Sequence, residues 1–170
     1  MTDRSPAFTA TISTVGGELT YLWRDRRGEP VIIASGWAEA RTLQALIHPD
    51  LRPEQVSRRS HPAVTEAVGG WADGAAGSLD AIAVEQRGGA FIGHAWQVLR
   101  TVRGTITYTE FAARSGNPRA VRAAATACAR NAAALFVPCH RVLRSDGSLG
   151  GFRYGLQVKQ ALIAHEKRAG

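Results

Sequence analysis

The sequence predicts a mixed α/β chain of the α+β kind. A small N-terminal domain built on an antiparallel sheet with helices would precede a mainly helical C-terminal domain. Three observations carry this expectation. Short runs before residue 60 alternate apolar with small polar residues, the period of a half-buried strand. From Phe91 onward apolar residues recur every three or four positions, the period of an amphipathic helix. The charge divides at the same place. Residues 1–90 hold nine Arg against eleven acids, whereas residues 91–170 hold ten Arg and two Lys against only Glu110, Asp146 and Glu166. A boundary is expected where Arg87-Gly88-Gly89 interrupts the pattern, giving domains 1–88 and 89–170.

Taken in order, Phe8 to Thr14 reads as a strand, and Val15-Gly16-Gly17-Glu18 as a hairpin turn. Leu19 to Trp23 and Val31 to Ala34 supply two more strands around the polar turn Arg24–Pro30. Helices are expected over Ala38–Ile47 and Pro62–Trp71, and a further strand over Ser78–Val84. In the second half, Phe91–Val102 is a helix by spacing. Thr107 is placed to cap another through Tyr108–Ser115, with Glu110 completing a capping-box pattern. Gly116-Asn117-Pro118 is a turn, with Pro118 expected at the first position of a helix Arg119–Arg130. Two short helices joined by a Gly-containing turn form a helix-turn-helix pattern, with Arg119, Arg122 and Arg130 near one stripe. Asn131 falls where a C-terminal cap would lie, Leu135–Val137 reads as extended, and Gly155–Lys167 closes the chain as a helix.

Composition narrows the function. The net charge of +7 is concentrated in the C-terminal half, which points to a polyanionic partner for that half. No apolar stretch nears the roughly 20 residues that cross a bilayer, and no leader pattern opens the chain, so a soluble, cytoplasmic, nucleoid-associated bacterial protein is expected. Two cysteines make neither a disulfide framework nor a four-cysteine zinc site. Nothing in the sequence calls for a metal or organic cofactor.

The run Phe136-Val137-Pro138-Cys139-His140-Arg141-Val142 carries the chemistry. A thiol with a reference pKa near 8.5 is only a few per cent thiolate at neutral pH, and an adjacent base raises its reactivity. Pro138-Cys139-His140-Arg141-Val142, with Tyr108, the stretch Asn117-Pro118-Arg119-Ala120-Val121-Arg122-Ala123, Asn131 and Glu166 at their separations, resembles the O6-alkylguanine-DNA alkyltransferases, also called methylated-DNA–protein-cysteine methyltransferases. The resemblance covers Phe91 to Lys167.

That resemblance implies an RNase H-like N-terminal fold and a direct-reversal repair protein. It would flip O6-alkylguanine from duplex DNA and move the alkyl group irreversibly to its own cysteine. Cys139 would be the nucleophile, and His140 would take its proton through a water. Glu166 would orient the imidazole. Asn131 would be a hinge between the recognition helix and the active-site turn, and Arg122 would fill the vacated stack. Tyr108 would crowd the phosphate beside the target and protonate the leaving guanine. Arg119, Ala123, Thr126 and Arg130 are further DNA-facing candidates; Cys128, Val142, Phe152, Arg153 and Tyr154 are pocket candidates. The implied partner is double-stranded DNA bearing O6-alkylguanine, met by a monomer, with cooperative binding left open and no membrane involved.

Departures from the family pattern also carry expectations. The loop Arg103-Gly104-Thr105-Ile106 is shorter than usual, which touches the placement of Tyr108. Phe152 stands where Tyr is frequent, and Arg153 and Tyr154 are bulky, so methyl should be preferred to benzyl. Two other functions compete: a non-catalytic lesion-recognition protein of the alkyltransferase-like kind, and a cysteine hydrolase using Cys139 and His140. Cys139 argues against the first, and the basic half is unexplained by the second.

Overall fold

Three strands, β1 (Ala7–Thr14), β2 (Gly17–Arg26) and β3 (Glu29–Gly36), form an antiparallel meander in the computed structural model, which describes residues 1–170. Two short edge strands, β4 (Val56–Arg58) beside β1 and β5 (Ala83–Val84) beside β3, run parallel to their neighbours. The sheet order is therefore β4-β1-β2-β3-β5. Both edges are closed by crossovers that carry helices, α1 (Ala40–Gln44) and α2 (Pro62–Ala72). β4 is three residues long, too short to show an alternation in sequence.

The helix expected over Ala38–Ile47 is confined to α1. After Gln44 the bonds tighten to a turn, Leu46 N–H to the Leu43 carbonyl at 3.0 Å and Ile47 N–H to the Gln44 carbonyl at 3.1 Å, and Pro49 keeps His48 out of helical geometry. The strand expected over Ser78–Val84 is mostly a 3-10 turn at Ser78–Ala81, with only Ala83–Val84 extended. The Ser78 hydroxyl donates to the Ala67 carbonyl at 2.6 Å, and this local capture holds the turn against α2.

The second half contains α3 (Ala90–Thr101), β6 (Ile106–Thr107), α4 (Tyr108–Arg114), α5 (Val121–Ala129), β7 (Val142–Leu143) and α6 (Leu156–Ala169). Thr107 caps α4, its Oγ1 accepting from the Glu110 N–H at 3.1 Å, as the capping pattern predicts. α5 starts two residues later than expected. The Asn117 side chain accepts from the Arg119 N–H at 3.0 Å, which folds Asn117–Ala120 into a turn. Pro118 and Arg119 thus belong to that turn, after Gly116 at φ +104°.

One face of the sheet, through Leu19, Tyr21 and Trp23, shares a continuous core with α2, α3, α5 and α6, including Trp71, Leu99, Ala127 and Leu162. The other face is covered by α1, with Leu22, Ile33 and Leu43 inside. A second clamp joins the halves beside the future site. Ser35 of β3 bonds both ways with the segment after α5: Ser35 N–H to the Ala132 carbonyl at 2.8 Å, and Ala134 N–H to the Ser35 carbonyl at 3.1 Å. The Ser35 hydroxyl adds a bond to the Ala134 carbonyl at 2.7 Å. This clamp explains why Leu135–Val137 is not extended. The chain turns back on itself there, with Leu135 at φ +76° and Val137 N–H bonded to the Ala133 carbonyl at 2.8 Å.

Candidate active site

The nucleophile candidate sits on a single 3-10 turn, Cys139–Arg141, between Pro138 and β7. β7 pairs in parallel with β6, placing Ile106 opposite Val142 and Thr107 opposite Leu143. Tyr108 begins α4 directly after β6, so this two-residue ladder fixes the distance from the cysteine turn to the tyrosine helix. The short loop before Tyr108 therefore brings it to the site: Tyr108 and Cys139 line the same cavity of about 510 Å³. Cys128 and Asn131 line it from the end of α5, and Phe152, Arg153 and Tyr154 from the loop after Gly151. A larger, more open hollow of about 1130 Å³ lies over the sheet near Thr9, Trp37 and Arg59, but holds neither a cysteine nor a histidine.

Val142 does not line the cavity, contrary to the sequence expectation. It is fully buried, because β7 directs it into the core between Ile106 and α6. The arginines also separate. Arg122 is exposed on α5, Arg119 precedes that helix, and Arg130 borders a different recess near Leu46 and Ala132. Ala123 and Thr126 are half-buried on α5, and the Thr126 hydroxyl donates to the Arg122 carbonyl at 2.9 Å.

Cys139 is 9% exposed and His140 1%. Burial pushes the Cys139 thiol up, opposed by an Asn131 hydrogen bond and the charge of Lys159. Burial likewise pushes His140 down, against the pull of Glu166. The resting pair is therefore a thiol beside a neutral imidazole. His140 Nε2 lies 2.6 Å from Glu166 Oε1. Burial alone would raise the Glu166 carboxyl, yet hydrogen bonds and charge from His140 and Arg141 hold it well below the usual carboxylate range. An ionised carboxylate only accepts, so Nε2 carries the ring proton and Nδ1 presents its lone pair. That Nδ1 is buried and has no partner in the protein.

Asn131 ties α5 to the active-site turn. Its Nδ2 donates to the Val137 carbonyl at 2.7 Å, and its Oδ1 accepts from Ala133 N–H and Gln86 Nε2, both at 3.0 Å. Gln86 also accepts from Ala132 N–H at 2.8 Å, so a residue preceding α3 braces the hinge candidate. Lys159 is fully buried under the turn, its Nζ donating to the carbonyls of Val142 at 2.8 Å, Gly151 at 3.4 Å and Leu149. It fastens the Phe152 loop to β7. Sequence reasoning missed Ser35, Gln86 and Lys159, whose partners lie far along the chain. The spacing Lys159, Leu162, Glu166 on one face of α6 was the only hint.

Burial pushes the Tyr108 phenol up to about 12, with Cys128 and Cys139 adding to the effect. It holds its proton at neutral pH. Cys128, also raised by burial, is a thiol wall of the cavity. Tyr154 packs against Gly36, where a Cβ would lie 2.2 Å from its hydroxyl, so only glycine lets β3 close this wall. Trp37 meets the Tyr154 ring edge-on at 5.6 Å and the Phe152 ring at 6.2 Å. Nowhere are three or more His, Cys, Asp or Glu gathered as a metal would need.

Residues 90–168 match the family model described as 6-O-methylguanine DNA methyltransferase, DNA binding domain. Over 82 residues the chain is 48% identical to the bifunctional transcriptional activator/DNA repair enzyme Ada of Escherichia coli, a match covering 47% of this chain and 23% of that protein. It is 42% identical over 74 residues to the methylated-DNA–protein-cysteine methyltransferase of Kluyveromyces lactis, covering 42% of this chain and 39% of that one. The chain thus spans well under half the length of these two relatives. The structure of Mycobacterium tuberculosis OGT in complex with DNA superposes with a TM-score of 0.74 at 24% identity, covering 96% of this chain and 94% of the other, which shows a shared fold. The sequence match falls on the half that holds Cys139, His140 and Glu166, and that half is similar to the DNA-binding domain of the 6-O-methylguanine DNA methyltransferases.

Proposed function

We propose that this protein repairs DNA by direct reversal, taking the alkyl group of a flipped O6-alkylguanine onto Cys139 in a single, irreversible displacement. One observation carries the reading: a buried thiol shares a substrate-sized cavity with a protonated Tyr108, next to a neutral His140 whose Nδ1 is free and whose Nε2 is held by Glu166.

The thiol proton passes to His140 Nδ1 through a bridging water, and Glu166 balances the imidazolium that forms. The sulfur attacks the alkyl carbon; the S–C bond forms as the C–O6 bond breaks. The electron pair stays on guanine, which takes a proton at N3 from Tyr108. The phenolate is then reprotonated from solvent or the imidazolium. The net change moves one alkyl group from oxygen to sulfur and one proton from sulfur to guanine. No further reagent is required.

The target carbon is out of reach inside a duplex, so the base must be extruded, at a cost of a few kcal/mol. The α4–turn–α5 pair docks on DNA as a helix-turn-helix. Arg122 fills the vacated stack, Arg119 and Arg130 meet phosphates, and Ala123 and Thr126 face the groove. Asn131 couples that docking to the cysteine turn. Phe152 stacks on the base, while Arg153 and Tyr154 narrow the alkyl end.

The test is intact-mass measurement after mixing the protein with duplex DNA containing O6-methylguanine, with the adduct mapped by peptide. The expected result is a gain of one methyl on the Cys139 peptide, formed faster than a benzyl adduct from the benzyl lesion. Tight DNA binding without any adduct would instead establish a non-catalytic lesion-recognition protein. Binding should also weaken with salt. Two phosphate contacts release counterions and give a log–log slope of about −2, reduced by about one unit in Arg119→Ala. Titration of affinity against salt concentration measures it, and a flat dependence contradicts the assigned arginines.

A further inference from the structure

Glu166 has more partners than a simple Cys–His–Glu relay needs. Its Oε1 accepts from His140 Nε2 at 2.6 Å and from Arg141 Nε at 3.0 Å. Its Oε2 accepts from Arg141 Nη2 at 2.5 Å and from Trp71 Nε1 at 3.0 Å. A carboxylate offers about four lone-pair sites, and here all four are filled. Three donors come from the active-site turn itself. The fourth comes from the end of α2, in the N-terminal half, 95 residues away in sequence.

We propose that Trp71 is a positioning residue of the alkyl-transfer site, its indole N–H fixing the Glu166 carboxylate in the orientation that presents Oε1 to His140. The proposal rests on the alkyl-transfer reading above and gives the N-terminal half a direct part in it. Trp71 itself has little freedom. It is buried in the shared core, its ring packs on that of His165 with centroids 4.6 Å apart, and its carbonyl lies 3.0 Å from His165 Nε2. An indole N–H so buried needs an acceptor, and Glu166 Oε2 is the one it has. Packing alone would be served by Phe or Leu at this position.

Arg141 is anchored separately, its Nη1 donating to the Val102 carbonyl at 2.5 Å. Pivoting about Arg141, the carboxylate could still swing toward a recess of about 120 Å³ behind it, bordered by Gly74, Arg103 and His165. The indole stands on that side and blocks the swing. It also draws negative charge toward Oε2 and away from the atom facing His140. In Trp71→Phe a ring still stands on that side, so loss of the indole N–H alone concentrates charge on Oε1, holds the imidazolium more strongly, and moves the titration of His140 to higher pH. The neutral ring is the form that accepts the thiol proton, so the acid limb of the rate profile moves up as well. The other groups facing this pair stay in place: Arg141 on the active-site turn, Cys139 beside it, Lys159 and His165 on α6, and Arg103, which is paired with Asp80.

The experiment uses the full chain and its Trp71→Phe variant, following single-turnover methyl transfer from O6-methylguanine duplex by intact mass across pH. The expected result is transfer about tenfold slower on the acid side, with the acid limb displaced upward and affinity for unmodified duplex unchanged. A purely structural role would lower the melting temperature and leave the limb where it was; a folded variant with an unmoved limb overturns the proposal. A second measurement needs no substitution. In the unmodified protein without DNA, the Trp71 indole ¹⁵N–¹H resonance should shift with the titration of His140, and a resonance indifferent to that titration also overturns it. If the unmodified protein transfers no methyl at all, the alkyl-transfer reading falls, while the indole resonance still decides whether Trp71, Glu166 and His140 form one network.

Discussion

Replacing Cys139 with serine is expected to end alkyl transfer altogether, while the protein stays folded and its affinity for DNA stays within a few-fold of the parent. The displacement needs a soft, polarisable sulfur that can lose its proton to a neutral imidazole. A serine hydroxyl is far less acidic, and His140, itself pushed down by burial, is too weak a base to ionise it. Serine is close to cysteine in volume, so the core around this 9%-exposed side chain is barely disturbed. The Cys128→Ser variant provides the contrast. Cys128 shares the cavity but no base touches it, and its thiol is raised by burial, so this variant should keep its methyl adduct. Intact mass and peptide mapping on both variants decide the matter. An adduct on Cys139→Ser would assign the acceptor elsewhere.

Glu166→Gln is expected to slow transfer by about 10²- to 10⁴-fold, because the base loses the charge that balances its protonated form. It should also destabilise the fold by about 3 kcal/mol. The amide has the shape of the carboxylate but brings two N–H donors of its own. With His140, Arg141 and Trp71 already supplying N–H groups to both oxygens, at least one donor must face another donor. The pH dependence follows from the lowered Glu166 carboxyl. A group depressed in the folded state stabilises fully above its unfolded pKa, about 4.3 for Glu, and that stabilisation fades as pH falls through the folded value. The gap in stability between parent and variant should therefore be full at neutral pH and shrink in acid below about pH 4. Denaturant titrations at the two pH values measure it, and a gap independent of pH would contradict the ionised carboxylate.

Much of this site could be read in the sequence, for a physical reason. The nucleophile, its base and its pocket are carried on short segments whose local geometry the residues dictate: Pro138 before Cys139, and Thr107 capping the helix of Tyr108. Glu166 stood out because acids are scarce in the second half. The side chains that hold these groups in place were not visible. Ser35, Trp71, Gln86 and Lys159 act on partners far along the chain, and no local period encodes such a contact. Val142 was misplaced because being next to the motif says nothing about which face of β7 a residue takes. The turn at Gly116-Asn117-Pro118 is legible, but the helix after it starts two residues later than the spacing indicates, because Pro118 suits both a turn and a first helical position and the Asn117 side chain decides between them.

The sealing of His140 has a consequence for the economy of repair. An imidazole 1% exposed, with one nitrogen committed to Glu166 and the other without a protein partner, can return its proton only by way of the cavity that delivered it. An enzyme that cycles thousands of times would be slowed by so narrow a route. The single displacement proposed above avoids that cost, because nothing downstream would wait for the base to recover. On that proposal the device would resemble a fuse rather than a switch, and a cell relying on it would be protected by the number of unspent copies it holds, not by how fast any one of them can work.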